Sequence, residues 1–149
     1  MNKKFSIKRG FTIVELLVVL AIAGFILSII FVSITGARAR GRDARRAEDI
    51  KQIQNMLDIY HVNRRQYPVC ALAVINGTSD CLSQALINEG VVSSSLAVDP
   101  LGGGSGVCLA AGSYVYCYES DSPEAYTLHY YLETDSILGK SPGWQEASP

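Results

Sequence analysis

The sequence has no proline before Pro68 and no charged residue between Leu16 and Ile34. The first absence removes the strongest helix breaker from the N-terminal part of the chain. The second leaves an apolar run far longer than a water-facing helix carries. Cations are almost missing from the other end, where Lys140 stands alone against nine carboxylates from Gln66 onward. Histidine is confined to His61 and His129, and no phosphate-cradling loop is present. No convergent nucleophile, base and orienting group can be assembled, so the chain reads as no enzyme and calls for no cofactor. Asp99, Glu119, Asp121 and Glu124 lack the short regular spacing of a calcium loop and read as a soluble acidic surface, with no metal.

What is present begins with Lys8-Arg9-Gly10-Phe11-Thr12-Ile13-Val14-Glu15. The run from Phe11 to Thr35 makes about 37 Å of helix, enough for a hydrocarbon core of about 30 Å. Leu16 to Ile34 holds 14 Leu, Ile, Phe or Val residues, which favour insertion by roughly −4 to −8 kcal/mol. Glu15 opposes this by about 3 kcal/mol at the midplane and less near an end. The run starts too early and extends too far for an ordinary secretory signal. By itself, Glu15 can also be read as a first-turn acid meeting the positive end of the helix dipole.

The basic leader ending in Gly10, then Phe11, a carboxylate at Glu15 and a membrane-length apolar run, resembles the processing site of type IV pilins and type II secretion pseudopilins. The resemblance implies cleavage after Gly10, N-methylation of Phe11, and a role for Glu15 in registering one subunit against the next in a helical filament. The Arg-rich stretch, the amphipathic half-helix and the closing Tyr67-Pro68 also resemble the stem of the major pseudopilin, so the likeness covers roughly the first 68 residues.

Charge is laid out unevenly. The leader holds Lys3, Lys4, Lys8 and Arg9, and the stretch after the apolar run holds Arg38, Arg40, Arg42, Arg45 and Arg46, so the positive-inside rule is close to a draw. Cys70, Cys81, Cys108 and Cys117, without metal-ligand spacing, suit an oxidising compartment and place the head outside the cytoplasm with the N-terminus inside. The arginines have three readings: a solvated face near anionic lipid, pairing with acids of neighbouring subunits, or phosphate binding. The last is disfavoured because no aromatics are interleaved.

The expected fold class is α+β: one helix from Phe11 to about Arg65, apolar then amphipathic, packed on a small antiparallel sheet. Ala47, Ile50, Ile53, Leu57 and Tyr60 mark its buried face, widened by Met56 and Ile59. Gly24 and Gly36 are soft points, and Ser28 and Ser33 can bond back to the preceding turn. Domain boundaries follow as a leader over 1–10, a transmembrane and assembly half over 11–35, an amphipathic half over 36–66 and a disulfide-bonded head over 67–149.

Within the head, Asn76-Gly77 signals a turn, although Asn76-Gly77-Thr78 also matches a glycosylation acceptor. Asp80 caps a short helix from Cys81 to Asn88 that Gly90 ends, and a glycine-rich loop follows to Gly106. A hairpin about Gly112-Ser113 would set Cys108 opposite Cys117 with Cα atoms about 4.5 Å apart. Four cysteines allow three connectivities, and this hairpin favours Cys108–Cys117, leaving Cys70–Cys81. A second hairpin joins Tyr114–Glu119 to Ala125–Glu133 across residues 120–124, giving a three-stranded sheet.

The expected function is that of a structural subunit of a type IV pilus or type II secretion pseudopilus. Its expected partners are copies of itself, other pilins, a prepilin peptidase and methyltransferase, an inner-membrane assembly platform, and lipid before assembly. The expected location is the inner membrane and then the pilus or cell surface. The rival is a single-pass membrane-anchored binding module that does not polymerise.

Overall fold

The computed structural model describes residues 10–149, except for the side chains of residues 30–33 and 35. The leader residues 1–9 and the Ser33 side chain lie outside the described residues. Two units divide the chain, the first ending at Arg38 and the second running from Ala39 to Pro149. Helix α1 (Ile13–Arg64) is the first element. Without proline or a β-branched cluster in its second half, nothing interrupts it until Arg65 adopts a left-handed φ of 56°, just before Tyr67-Pro68 forces an extended path.

The second unit is built on one face of α1. Ile50, Ile53 and Leu57 are buried at helical spacing. Ala47, Met56 and Tyr60 are only half-buried and Ile59 is exposed, so the buried stripe is narrower than its periodicity predicts. Against that stripe lies an antiparallel sheet of β1 (Cys70–Val74), β2 (Cys117–Ser122), β3 (Ala125–Leu132) and β4 (Gly143–Ala147), in the spatial order β1-β2-β3-β4. Along β3, Tyr126, Leu128, Tyr130 and Leu132 alternate into the core, joined there by Tyr116 and Tyr118. The short helix α2 (Cys81–Asn88) adds Leu82 and Leu86.

The sheet departs from expectation in three respects. It has four strands, because β1 and β4 join it and residues 108–111 do not. Ala110 to Ser113 instead form a turn in which the Ser113 amide donates to the Ala110 carbonyl at 3.2 Å. Gly112, at φ +74°, occupies the third turn position rather than opening a two-residue hairpin. Cys108 and Cys117 are nevertheless bridged, with Cα atoms 6.0 Å apart, and so are Cys70 and Cys81. The β2–β3 connection is also tighter than expected, since Ser122 pairs with Ala125 across Pro123-Glu124 alone.

Between α2 and β2 the chain has no regular element, yet it is fastened at several points. The Leu96 amide donates to the Gly77 carbonyl at 2.8 Å. A Cβ on Gly102 would lie 1.7 Å from the Tyr114 carbonyl oxygen, so only glycine lets these backbones meet. Before α2, the Asn76 carboxamide oxygen accepts from the amides of Thr78, Ser79 and Asp80, while Asp80 caps the helix by accepting from the Ser83 amide at 3.0 Å. Replacing Asp80 with Ala removes that cap and the bonds from the Asn76 and Gly77 amides. The expected loss is about 1–2 kcal/mol, checked by chemical denaturation of the detergent-solubilised chain.

Candidate functional site

Two constellations concentrate the chemistry: the start of α1 and a cluster of charges inside the head. At the start, Gly10 and Phe11 are exposed, Phe11 to 83%. Thr12 and Glu15 form a reciprocal capping box. The Thr12 amide and hydroxyl both donate to Glu15 Oε2 at 2.9 Å, and the Glu15 amide donates to the Thr12 hydroxyl at 3.2 Å. Thr-x-x-Glu before an apolar run is a helix-start signal, and a search for it finds this box in the sequence.

After the cap, the described Leu, Ile, Val and Phe side chains from Ile13 to Ile29 are all exposed, each by more than half. Ser28 donates to the Phe25 carbonyl at 2.7 Å, the backward bond expected of it, and Gly24 and Gly36 face open space. Among the described residues no helix is long and apolar enough to cross a membrane. The described helix therefore does not support the spanning half expected of it; side chains 30–33, inside the apolar run, lie outside the description.

The second constellation corrects the reading of the arginines as a surface cluster for Arg42 and Arg46, while Arg38, Arg40 and Arg45 are exposed. Arg46 is fully buried, its Nε donating to Asp99 Oδ2 at 2.7 Å and its Nη1 to Asp43 Oδ1 at 2.8 Å and Glu133 Oε1 at 2.6 Å. Arg42 makes a two-bond fork on Glu133, at 2.8 and 2.6 Å. Asp43, also fully buried, accepts from the Glu133 and Thr134 amides and the Thr134 hydroxyl. Asp99 holds Arg46 and also accepts from the Leu101 and Gly102 amides. The guanidinium of Arg46 also lies 5.2 Å from the Tyr114 ring centre. Helix, glycine-rich loop and the end of β3 are thus joined through one side chain.

The carboxyl groups respond differently. Asp43 is depressed below its ordinary value: burial pushes it up, but the hydrogen bonds from Thr134, the Glu133 amide and Arg46 outweigh that. The Arg42 hydrogen bond depresses Glu133. Burial raises Asp49, only partly offset by the Tyr116 hydroxyl donating to it at 2.9 Å. Burial also raises the Tyr116 hydroxyl.

The two histidines are dispersed. His61 stacks on Tyr67 with ring centres 4.6 Å apart. His129 is buried on the other face of the sheet, its Nε2 3.1 Å from Glu119 Oε1. Both cysteine pairs are bridged, so no described cysteine offers a free thiol.

A family model, the prokaryotic N-terminal methylation motif, matches residues 6–31. The type II secretion system core protein G of Escherichia coli (strain K12) is 31% identical over 61 residues, which are 41% of this chain and 42% of that protein. The chain thus carries an N-terminal methylation motif and is similar over part of its length to the core protein G of type II secretion systems. The core protein G of Aeromonas hydrophila is 30% identical over 61 residues, 43% of its length. That of Vibrio cholerae serotype O1 is 30% identical over 66 residues, 45% of its length. The chain thus spans less than half the length of the curated relatives it matches, and no solved structure matches it.

Arg46→Met leaves Asp99 and Asp43 buried without their guanidinium and is expected to cost about 3–5 kcal/mol, read as a lowered denaturation midpoint. The acid response follows from the signs. Asp43 and Glu133, depressed in the fold, contribute stability that is complete above about pH 5 and lost as pH falls through their folded values. Asp49, raised in the fold, works the other way and gains as pH falls. The thermal midpoint is therefore expected to fall as pH drops below about 5, and Asp49→Asn, which removes the offset, to steepen that fall.

Proposed function

We propose that this chain is a structural subunit of a type IV pilus or type II secretion pseudopilus. It is made as a membrane-held precursor, trimmed after Gly10, methylated on Phe11 and polymerised through its N-terminal helix. The observation that carries the reading is the start of α1: a capped helix end followed by apolar side chains exposed one after another on every face. A helix apolar all round needs lipid or protein around it, and the charge-free stretch from Leu16 to Ile34 supports a membrane-spanning half before assembly. Polymerisation exchanges lipid contacts for contacts with neighbouring helices.

In this reading the N-terminus is cytoplasmic and the disulfide-bonded head lies outside the inner membrane, then in the filament at the cell surface. A prepilin peptidase and methyltransferase, an inner-membrane platform and other pilins are the partners. The chain performs no catalysis, and its resemblance to secretion-system core proteins supports a structural role. Once Gly10 is removed, the new amine on Phe11 stands one turn from Glu15, and the carboxylate pairs with the amine of a neighbouring subunit.

Two experiments test this. Mass spectrometry of the mature protein is expected to show residues 1–10 missing and one added methyl group; an intact leader overturns the reading. Glu15 now has two separable duties, because Gln at the same position keeps a capping box while removing the charge. Glu15→Gln is expected to be inserted and processed yet to build as few filaments as Glu15→Ala. Filament yield equal to wild type in Glu15→Gln means that the cap, and not the charge, is what Glu15 supplies.

A further inference from the structure

The end of the head that holds Arg46 is also where the chain enters it, and two loops raise aliphatic side chains there. Contacts around β3 place both loops. The strand finishes at Glu133, which takes Arg42 and Arg46, and the next amide, of Thr134, donates to Asp43 at 2.8 Å. The β3–β4 loop therefore starts beside Asp43, and its Leu138 is wholly exposed. The loop after α2 is pinned to the same place by Asp99, which holds Arg46 and accepts from the Leu101 amide. Leu101 and Val107 line one cleft of that loop, and both are exposed, as is Leu109.

Aliphatic groups gathered at one end of a small domain mark a contact face, and the chain itself narrows what meets it. The uncharged run finishes at Ile34 and the head unit starts at Ala39. Those five steps span at most about 18 Å even fully extended, so this end of the head is tethered close to wherever the run is held. Arg40 is exposed and makes no ion pair among the described residues. Arg45 is exposed 3.8 Å from Asp49, Lys140 is occupied by the Tyr130 hydroxyl, and Asp135 and Glu48 are exposed acids nearby. Net charge therefore does not choose the partner. An unpaired guanidinium needs only phosphate oxygens, which zwitterionic and anionic phospholipids alike carry.

We propose that before assembly this end of the head rests on the phospholipid surface of the membrane that holds the precursor, with Leu101, Val107, Leu109 and Leu138 in the headgroup layer and Arg40 on lipid phosphate. The contact rests on the membrane-held reading above and adds a docking face to it. Aliphatic tips that enter the interface gain in proportion to the area they remove from water. Val62, exposed as well, lies about 33 Å along α1 from Arg40 and stays off the surface. Because the same face has to leave the lipid when the subunit does, the contact orients the head beforehand and opposes extraction.

The test uses the full chain, a single copy per phosphatidylcholine nanodisc, with a doxyl-labelled lipid as quencher just below the headgroups. Incorporation is read first, by co-elution of chain and disc. A bimane label on Leu138→Cys is expected to be quenched roughly threefold more strongly than one on Val62→Cys. Val107→Ser with Leu109→Ser, both at exposed positions, is expected to bring the label at 138 down toward the level at 62. Equal quenching at the two positions, or quenching untouched by the serine pair, overturns the docking and leaves the membrane-held reading standing. Shielding of the 138 label in cells but not in discs assigns the face to a protein and overturns the lipid contact. A wild-type chain that does not enter the discs overturns both readings.

Discussion

A guanidinium with no access to water must find acceptors for its donors, and in this head the requirement falls on Arg46. Its three carboxylate partners come from different places: Asp43 from the same helix, Asp99 from the loop after α2, and Glu133 from the end of β3. Burying such a charge is costly unless every partner is in position. The cluster therefore acts as a specification: a loop displaced by a few ångströms, or a strand slipped by one residue, leaves a charge stranded. Apolar packing of Ile53 and Leu57 against Tyr116 and Leu128 tolerates small shifts far better, and on its own would leave the register of helix and sheet less sharply defined.

The same helix serves two surroundings by changing its side chains along its length. Before Arg38 it presents apolar groups and satisfies its own first amides through Thr12 and Glu15. After Ala39 it buries a stripe that is ionic at Asp43, Arg46 and Asp49 and apolar at Ile50, Ile53 and Leu57. The placement of charge is thus not a simple gradient along the helix. The most deeply buried charges of the head lie just beyond the uncharged stretch.

Much of this was legible in the sequence, for identifiable reasons. The helix and its end, the Asp80 cap, and the alternation from Tyr126 to Leu132 all depend on interactions within a few residues, which spacing records directly. β1 and β4 were not legible. They are short, and Ala71, Leu72 and Trp144 to Ala147 acquire strand geometry only by pairing with β2 and β3. The bridge between Cys108 and Cys117 is present although the hairpin that pointed to it is not, since a left-handed Leu109 and a turn at Gly112 bring the cysteines together by another route. Arg42 and Arg46 looked like their exposed neighbours because their partners outside the helix lie 53 to 91 residues away. No local pattern carries that information, whereas Thr12 to Glu15 did carry a cap that can be read in four letters.

That remoteness has a bearing on biogenesis. Helix α1 can form as soon as its own residues have emerged, but the pocket that receives Arg46 is complete only when Glu133, 87 residues further on, has been made. Closure of the head is therefore a late event with a high contact order. Until then a nascent stem carries its guanidinium short of one carboxylate, and truncation ahead of Glu133 leaves the Arg46 pocket incomplete.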